Sequence, residues 1–158
     1  MPIIMKNGSK IMSLIDGSKK MSKSDPNEGS RINLLDTPEI ITKKIKRAKS
    51  DSYIGIEFNN PERAESKNLL MIYSILSGKD ISQCENEFSE TGWGTFKKLI
   101  AEQLIESLTP IQEKYKVLIN DPHQLNNILQ DGREKAEDLA NKTLKRVKSK
   151  LGFLEMEK

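Results

Sequence analysis

One cysteine, Cys84, and one histidine, His123, are all that the 158 residues hold of either type. A lone cysteine closes no internal disulfide, and the two together cannot supply the cysteine/histidine spacings of a zinc site. A reducing, cytoplasmic setting is therefore expected. Aromatic residues make up only 5% of the chain, a composition that points to long solvated helices rather than to a β-sandwich. The longest nearly apolar run, Leu69 to Leu76, is broken by Ser74 and falls short of the ~20 residues of a bilayer span, so no membrane partner is expected. The amino end, Met1 to Gly8, has no basic stretch before an apolar core and no small-residue cleavage pattern.

Charge, by contrast, is plentiful, at 31% of residues, and unevenly placed. Residues 1–50 hold eleven Lys/Arg against five Asp/Glu, residues 51–90 three against eight, and residues 91–158 twelve against ten. Two basic ends thus flank an acidic middle. That polarity suits an anionic partner, nucleotide or nucleic acid, although charge runs also form plain solvated faces.

Asn7-Gly8 and Asp16-Gly17 are turn dipeptides bracketing Lys10 to Ile15, a run suited to a short strand. From Gly17 to Ser30 turn formers dominate without apolar period, which predicts an exposed, mobile loop. Helical signals then begin. Thr37-Pro38 reads as an N-cap followed by proline at the first helical position, with Ile41, Ile45 and Ala48 on one side. Asn60-Pro61 repeats the pattern before a stripe of Leu69, Ile72, Tyr73 and Leu76, ended by Gly78, and Asp80 can cap a short third helix. After Gly92-Trp93-Gly94, the positions Phe96, Ile100, Leu104, Leu108, Ile111, Tyr115 and Leu118 step by three or four without a miss. Pro110 should kink or divide that helix, with Thr109 capping its second half. Asp121-Pro122 opens a last helix whose inner face should carry Leu125, Leu129, Gly132, Ala136, Ala140, Thr143 and Val147 before Gly152 closes it.

The expected fold is thus mainly α, about five helices over residues 37–158, preceded over residues 1–36 by one strand and a lysine-rich loop. A lone strand is marginal. Residues 1–36 therefore read as the last edge of an α/β domain lying upstream.

Lys20-Met21-Ser22-Lys23-Ser24 is the segment with chemistry in it. Two lysines three apart on a polar loop can wrap a polyphosphate, and the hydroxyls of Ser22 and Ser24 with free backbone N–H groups can complete an anion nest. A solvated basic loop is the competing reading. A Walker A loop is absent, because Gly8-Ser9-Lys10 and Gly17-Ser18-Lys19 lack its glycine spacing.

Read as letters, Lys20 to Ser24 spell KMSKS, the second signature of the class I aminoacyl-tRNA synthetases. The context, Lys10-Ile11-Met12-Ser13-Leu14 before a turn and Lys19-Lys20-Met21-Ser22-Lys23-Ser24-Asp25-Pro26-Asn27 after it, resembles the tryptophanyl branch; tyrosyl enzymes usually vary this loop. Further matches are Asn68 to Ser74 with Leu76-Ser77-Gly78, Gly92 to Lys97, Pro110 to Glu113, and Ile128-Leu129 through Gly132, Lys135 and Ala136. The resemblance runs from Lys10 to Gly152.

It implies the KMSKS loop and helical anticodon-binding-type domain of a ligase whose Rossmann-like catalytic domain lies elsewhere. The reaction implied is activation of tryptophan by ATP with Mg2+, then transfer to tRNA(Trp). Lys23, with Lys20 second, would be catalytic, steadying charge on the departing pyrophosphate. Ile11 and Met12 would lie near the adenine, and Met21, Ser22, Lys23 and Ser24 would join Lys20 at the nucleotide, Met21 and Ser22 through their backbone. The family's histidine-containing signature, HIGH, is absent from these residues, and His123 at a helix start does not replace it. The tryptophan pocket and homodimer interface of the family belong mostly to the missing sheet domain, so this chain by itself is not expected to aminoacylate. A catalytically inactive helical module that binds tRNA or another anion is the alternative.

Secondary candidates lie on the helices. Lys43, Lys44, Lys46, Arg47 and Lys49 crowd the first, where tRNA phosphates or plain solvent could meet them. Lys135, Lys142, Lys145 and Arg146 fall near one side of the last. Of the aromatics, Tyr115 reads as core and Trp93 stays open between packing and base stacking. No residue set reads as a metal site of its own.

Overall fold

In the computed structural model, which describes residues 8–153, helix α1 (Pro38–Arg47) starts as its residue types dictate. Thr37 accepts a hydrogen bond from the Ile40 N–H, and Pro38 takes the first turn, where its missing N–H costs nothing. Helices α2 (Ala64–Ser77), α3 (Ile81–Glu87), α4 (Trp93–Ile119) and α5 (Pro122–Leu151) follow. The chain divides into two compact units, Met1–Gln112 and Glu113–Lys158.

The core of the first unit is built largely from the stripes that the periodicity picks out, joined by Leu70, which the periodicity did not name. Ile41, Ile45, Leu69, Leu70, Phe96 and Ile100 are all but completely buried, each worth about 1.5–3 kcal/mol relative to exposure. Tyr73, Phe88 and Phe96 meet in a cluster: the Tyr73 and Phe88 rings stand edge-on at 4.9 Å, and Phe88 lies 4.7 Å from Phe96. The side chain of Gln83 accepts from the Asp80 N–H to cap α3, and Gly78 closes α2 in the left-handed region at φ 69°.

Four expectations are corrected. Lys10 to Ile15 is not a strand: among the described residues it makes one isolated antiparallel bridge, Met12 to Lys20, having no neighbouring strand to extend the pairing. Asn60-Pro61 makes a turn rather than a helix start, the Arg63 N–H bonding the Asn60 carbonyl, and α2 begins only at Ala64. The physical reason is Arg63, whose guanidinium is drawn into the interior by Asp51 and the Gly55 carbonyl. Of the two outcomes expected at Pro110, a kink or a division, the division does not occur: α4 runs unbroken from Trp93 to Ile119, and the Thr109 hydroxyl, instead of capping a new helix, donates back to the Ile105 carbonyl at 2.7 Å. Beyond Leu108 the stripe of α4 leaves the core, with Ile111 and Tyr115 about half exposed, so Tyr115 is not a core residue.

In the second unit α5 starts at an Asp121 cap, whose carboxylate accepts from the Gln124 N–H at 2.9 Å, and ends at Gly152 as the sequence predicts. Its expected inner face is not buried. Leu125 is half-buried, and Leu129 and Val147 stand in solvent. What supports this helix locally is a row of side-chain pairs four residues apart, Asp131 to Lys135 at 2.6 Å, Gln130 to Glu134 at 2.8 Å and Arg133 to Glu137 at 3.6 Å.

Candidate functional site

The KMSKS segment is the outgoing arm of a small hairpin. Ser13 N–H donates to the Lys19 carbonyl at 2.8 Å and Met21 N–H to the Ile11 carbonyl at 3.0 Å, which sets Met12 opposite Lys20. Asp16 makes the bend: its carboxylate accepts from the Ser18 N–H at 3.1 Å and the Ser18 hydroxyl at 2.6 Å. These bonds, with Lys19 beside them, hold the Asp16 pKa down at about 2.

Lys20 and Lys23 are both exposed on this arm, as are Ser22 and Ser24, whose hydroxyls lie 3.1 Å apart. Part of the loop's backbone is already paired. Met21 N–H is taken by Ile11, Ser24 N–H by the Ser22 hydroxyl at 3.4 Å, and Asp25 N–H by the Ser22 carbonyl at 3.4 Å. Of the backbone groups of Met21 and Ser22 expected at a nucleotide, the Met21 N–H is engaged within the hairpin. What the loop leaves exposed is two ammonium groups and two hydroxyls. Arg31 braces the far end, donating to the Asp25 carbonyl at 2.7 Å.

Behind the loop, the Ile11 and Met21 side chains line one apolar cavity of about 200 Å3 with Ile32, Ile45, Ile75 and Leu104. Met12 differs from Ile11, because its main chain is committed to a helix: the Asn68 carboxamide accepts from Met12 N–H at 2.8 Å and donates to Met12 O at 2.9 Å. Sequence reasoning missed Asn68. The signal was there, an amide four residues before Ile72 on the apolar stripe of α2, where an unpaired polar group would be costly.

The basic residues of α1 separate. Lys43 and Arg47 are exposed, whereas Lys44, expected to meet tRNA phosphates or solvent, is turned inward and ion-paired with Asp36 at 2.6 Å. Burial works to raise the Asp36 pKa, but the bonds from Lys44 and Asn33 outweigh it and hold the carboxyl below its usual range. Lys46 points the other way, to a cavity of about 480 Å3 shared with Trp93, Lys97, Lys98 and Glu102. Lys97, half-buried there, donates to the Ala48 carbonyl at 2.6 Å and the Ser50 hydroxyl at 3.1 Å, and burial pushes its pKa down. Trp93 is partly buried. Its indole N–H reaches Asp51 at 3.2 Å, and its ring centroid lies 5.7 Å from the Lys97 ammonium. In the second unit Lys135 is engaged with Asp131, and Lys142 and Arg146 are exposed. Among the described residues no group of three or more histidine, cysteine or carboxylate side chains is placed to hold a metal, and no helix is long and apolar enough to cross a membrane.

A mostly helical chain presenting a lysine–serine loop from a hairpin, over a helical core, has its counterpart among known proteins. The family model described as tRNA synthetases class I (W and Y) matches residues 2–109, and the chain belongs to that family. Within it the chain is similar to tryptophan–tRNA ligases. It is 79% identical over 157 residues to the tryptophan–tRNA ligase of Prochlorococcus marinus subsp. pastoris, covering 99% of this chain and 46% of that protein. To the tryptophan–tRNA ligase of a Nostoc species it is 53% identical over 152 residues, covering 96% and 45%. The crystal structure of tryptophanyl-tRNA synthetase from Mycoplasma pneumoniae superposes with a TM-score of 0.82 at 30% identity, covering 95% of this chain and 45% of that one. The chain thus spans under half the length of the curated relatives it matches.

Proposed function

We propose that this chain is the carboxy-terminal portion of a tryptophan–tRNA ligase. Residues 1–36 would be the edge of the nucleotide-binding domain and residues 37–158 the helical tRNA-binding domain. The observation that carries the reading is the exposed pair Lys20 and Lys23 on a hairpin braced from both sides.

In the activation step the carboxylate of tryptophan attacks the α-phosphorus of ATP, and the bond to pyrophosphate breaks. Negative charge grows on the departing oxygens. A lysine aimed there stabilises the transition state more than bound ATP, and loss of one such preorganised donor costs roughly 3 kcal/mol, about a hundredfold in rate. Lys23 takes this role and Lys20 assists it, with the Ser22 and Ser24 hydroxyls as neutral donors. The donor set fits a triphosphate, and with no carboxylate cluster at the loop, Mg2+ would ride on the phosphate oxygens. The adenine would lie toward Ile11 and Met12. Tryptophan recognition and the family's dimer contacts are assigned to the longer protein.

The cavity beside Trp93 supports a second reading, a tRNA-binding module without catalysis. An aromatic face with three lysines around it suits a splayed base and its phosphates. Calorimetric titration with Mg·ATP and with tRNA, alone and after mixing with the upstream half of a relative, separates the two. Restored pyrophosphate exchange that falls about a hundredfold with Lys23→Ala supports the ligase. Exchange unaffected by that substitution removes Lys23 from the mechanism, and tRNA binding without any nucleotide response favours the module.

A further inference from the structure

Met12 and Lys20 face each other at the point of the hairpin where neither bonds the other directly; the flanking bonds run from Ser13 and Met21. In such a pair the N–H and C=O of each residue point outward, away from the partner arm. The outward groups of Met12 have no strand beside them. They are met by one side chain, Asn68, 4% exposed in an otherwise largely apolar helix, which takes the Met12 N–H at 2.8 Å and gives to the Met12 carbonyl at 2.9 Å and, more weakly, to the Ser13 carbonyl at 3.5 Å. A carboxamide offers one acceptor and two donors in one plane, and here it supplies the edge that a neighbouring strand would otherwise give.

A second contact lies three residues earlier on the same helix. Gly17, at the bend, packs so closely on α2 that an added Cβ would sit 2.8 Å from the Ala64 carbonyl carbon and 2.9 Å from the Glu65 nitrogen. Glu65 is in turn ion-paired with Lys49 at 2.8 Å. The incoming arm of the hairpin is thereby held at both ends by the first two turns of α2, and the outgoing arm, with Lys20 and Lys23, is registered on it.

From this we infer that Asn68 is a positioning residue for the phosphate-binding lysines: through Met12 it sets the register and attitude of the loop that presents Lys20 and Lys23. The inference rests on the nucleotide-binding reading above.

The test uses the chain, alone and mixed with the upstream half of a relative, with Asn68→Leu, which keeps the branched outline of the side chain and removes its hydrogen bonds. Mg·ATP affinity, hydrogen exchange at the Met12 and Met21 amides, and the unfolding midpoint are read together. The expected result is faster exchange at both amides, affinity weaker by about tenfold, and α4 amides still protected. Lys23→Ala should weaken affinity while leaving exchange unchanged. Wild-type exchange and affinity in Asn68→Leu overturn the inference, as does lost affinity with exchange unchanged. If neither the unsubstituted chain nor its mixture with the upstream half of a relative takes Mg·ATP, the nucleotide reading falls by itself, and the anchoring then stands or falls on the two amides. Should Asn68→Leu not fold, Asn68→Asp, which keeps only the acceptor for Met12 N–H, is read by the same measurements.

Discussion

Arg63 and Asp51 are joined at two points, Nε to Oδ2 at 2.8 Å and Nη2 to Oδ1 at 3.0 Å, with the guanidinium only 2% exposed. The same Nη2 donates to the Gly55 carbonyl at 2.7 Å, and the Trp93 indole N–H also lands on Asp51. One carboxylate therefore fixes the segment before α2 and the first residue of α4 together.

Truncating Arg63 to alanine leaves that partly buried carboxylate without its partner. The expected loss is about 3–5 kcal/mol of folding stability, measured by urea unfolding. Arg63→Lys should recover little of it, since an ammonium cannot reproduce the two-point fork.

Acid should unfold the first unit through Asp51 and Asp36. Burial by itself would raise both pKa values, yet the bonds from Arg63, the Tyr53 N–H and Trp93 in one case, and from Lys44 and Asn33 in the other, bring both below the ordinary value. A carboxyl with a depressed folded pKa adds stability that is fully present above the unfolded value of about 3.9 and drains away as pH falls through the folded one. The unfolding midpoint should thus drop below about pH 4. Asp51→Asn, less stable at neutral pH, should show a shallower acid slope, and calorimetry from pH 2 to pH 7 reads both.

The lysines near α1 should separate into two kinds. Lys46→Ala, at the mouth of the Trp93 cavity, should weaken tRNA binding and lower the salt slope by about one while leaving the unfolding midpoint unchanged. Lys44→Ala should do the reverse, because its charge is spent on Asp36. Filter binding at several salt concentrations, beside thermal melts, decides it; equal loss of tRNA affinity in the two variants would remove the distinction.

Gly17→Ala should disturb the loop from the far end of the hairpin. The new methyl group would meet Ala64 and Glu65 main-chain atoms at 2.8–3.0 Å, contacts that only a backbone shift relieves. Mg·ATP affinity should weaken by severalfold with α4 still protected from exchange, and an affinity equal to that of the unsubstituted chain would show that the bend does not matter.

Helix positions were legible because each is a local matter. Thr37-Pro38 and Asp121-Pro122 cap by their own side chains and ring geometry, Gly78 and Gly152 stop helices by accepting the left-handed region, and the steps from Phe96 to Leu108 describe one buried face. Lys20 and Lys23 were legible for the same reason, since an exposed loop needs only its own residues to present two charges. Asn60-Pro61 misled because a local cap signal lost to a long-range one, the pull of Asp51 on Arg63 across twelve residues. Tyr115 misled because periodicity shows which residues share a face and not where the core beneath that face ends.

The amino-acid sequence by itself determined the helical character of the chain, most helix ends and the lysine–serine loop, all set by interactions within a few residues. Tertiary structure alone decided that Lys44 is internal while Lys46 is open, that Met12 is gripped by Asn68 fifty-six positions away, and that Trp93 stands between Asp51 and Lys97. Those outcomes depend on which polar groups are left without water when distant segments pack, and a buried donor or acceptor takes whatever partner the fold brings to it.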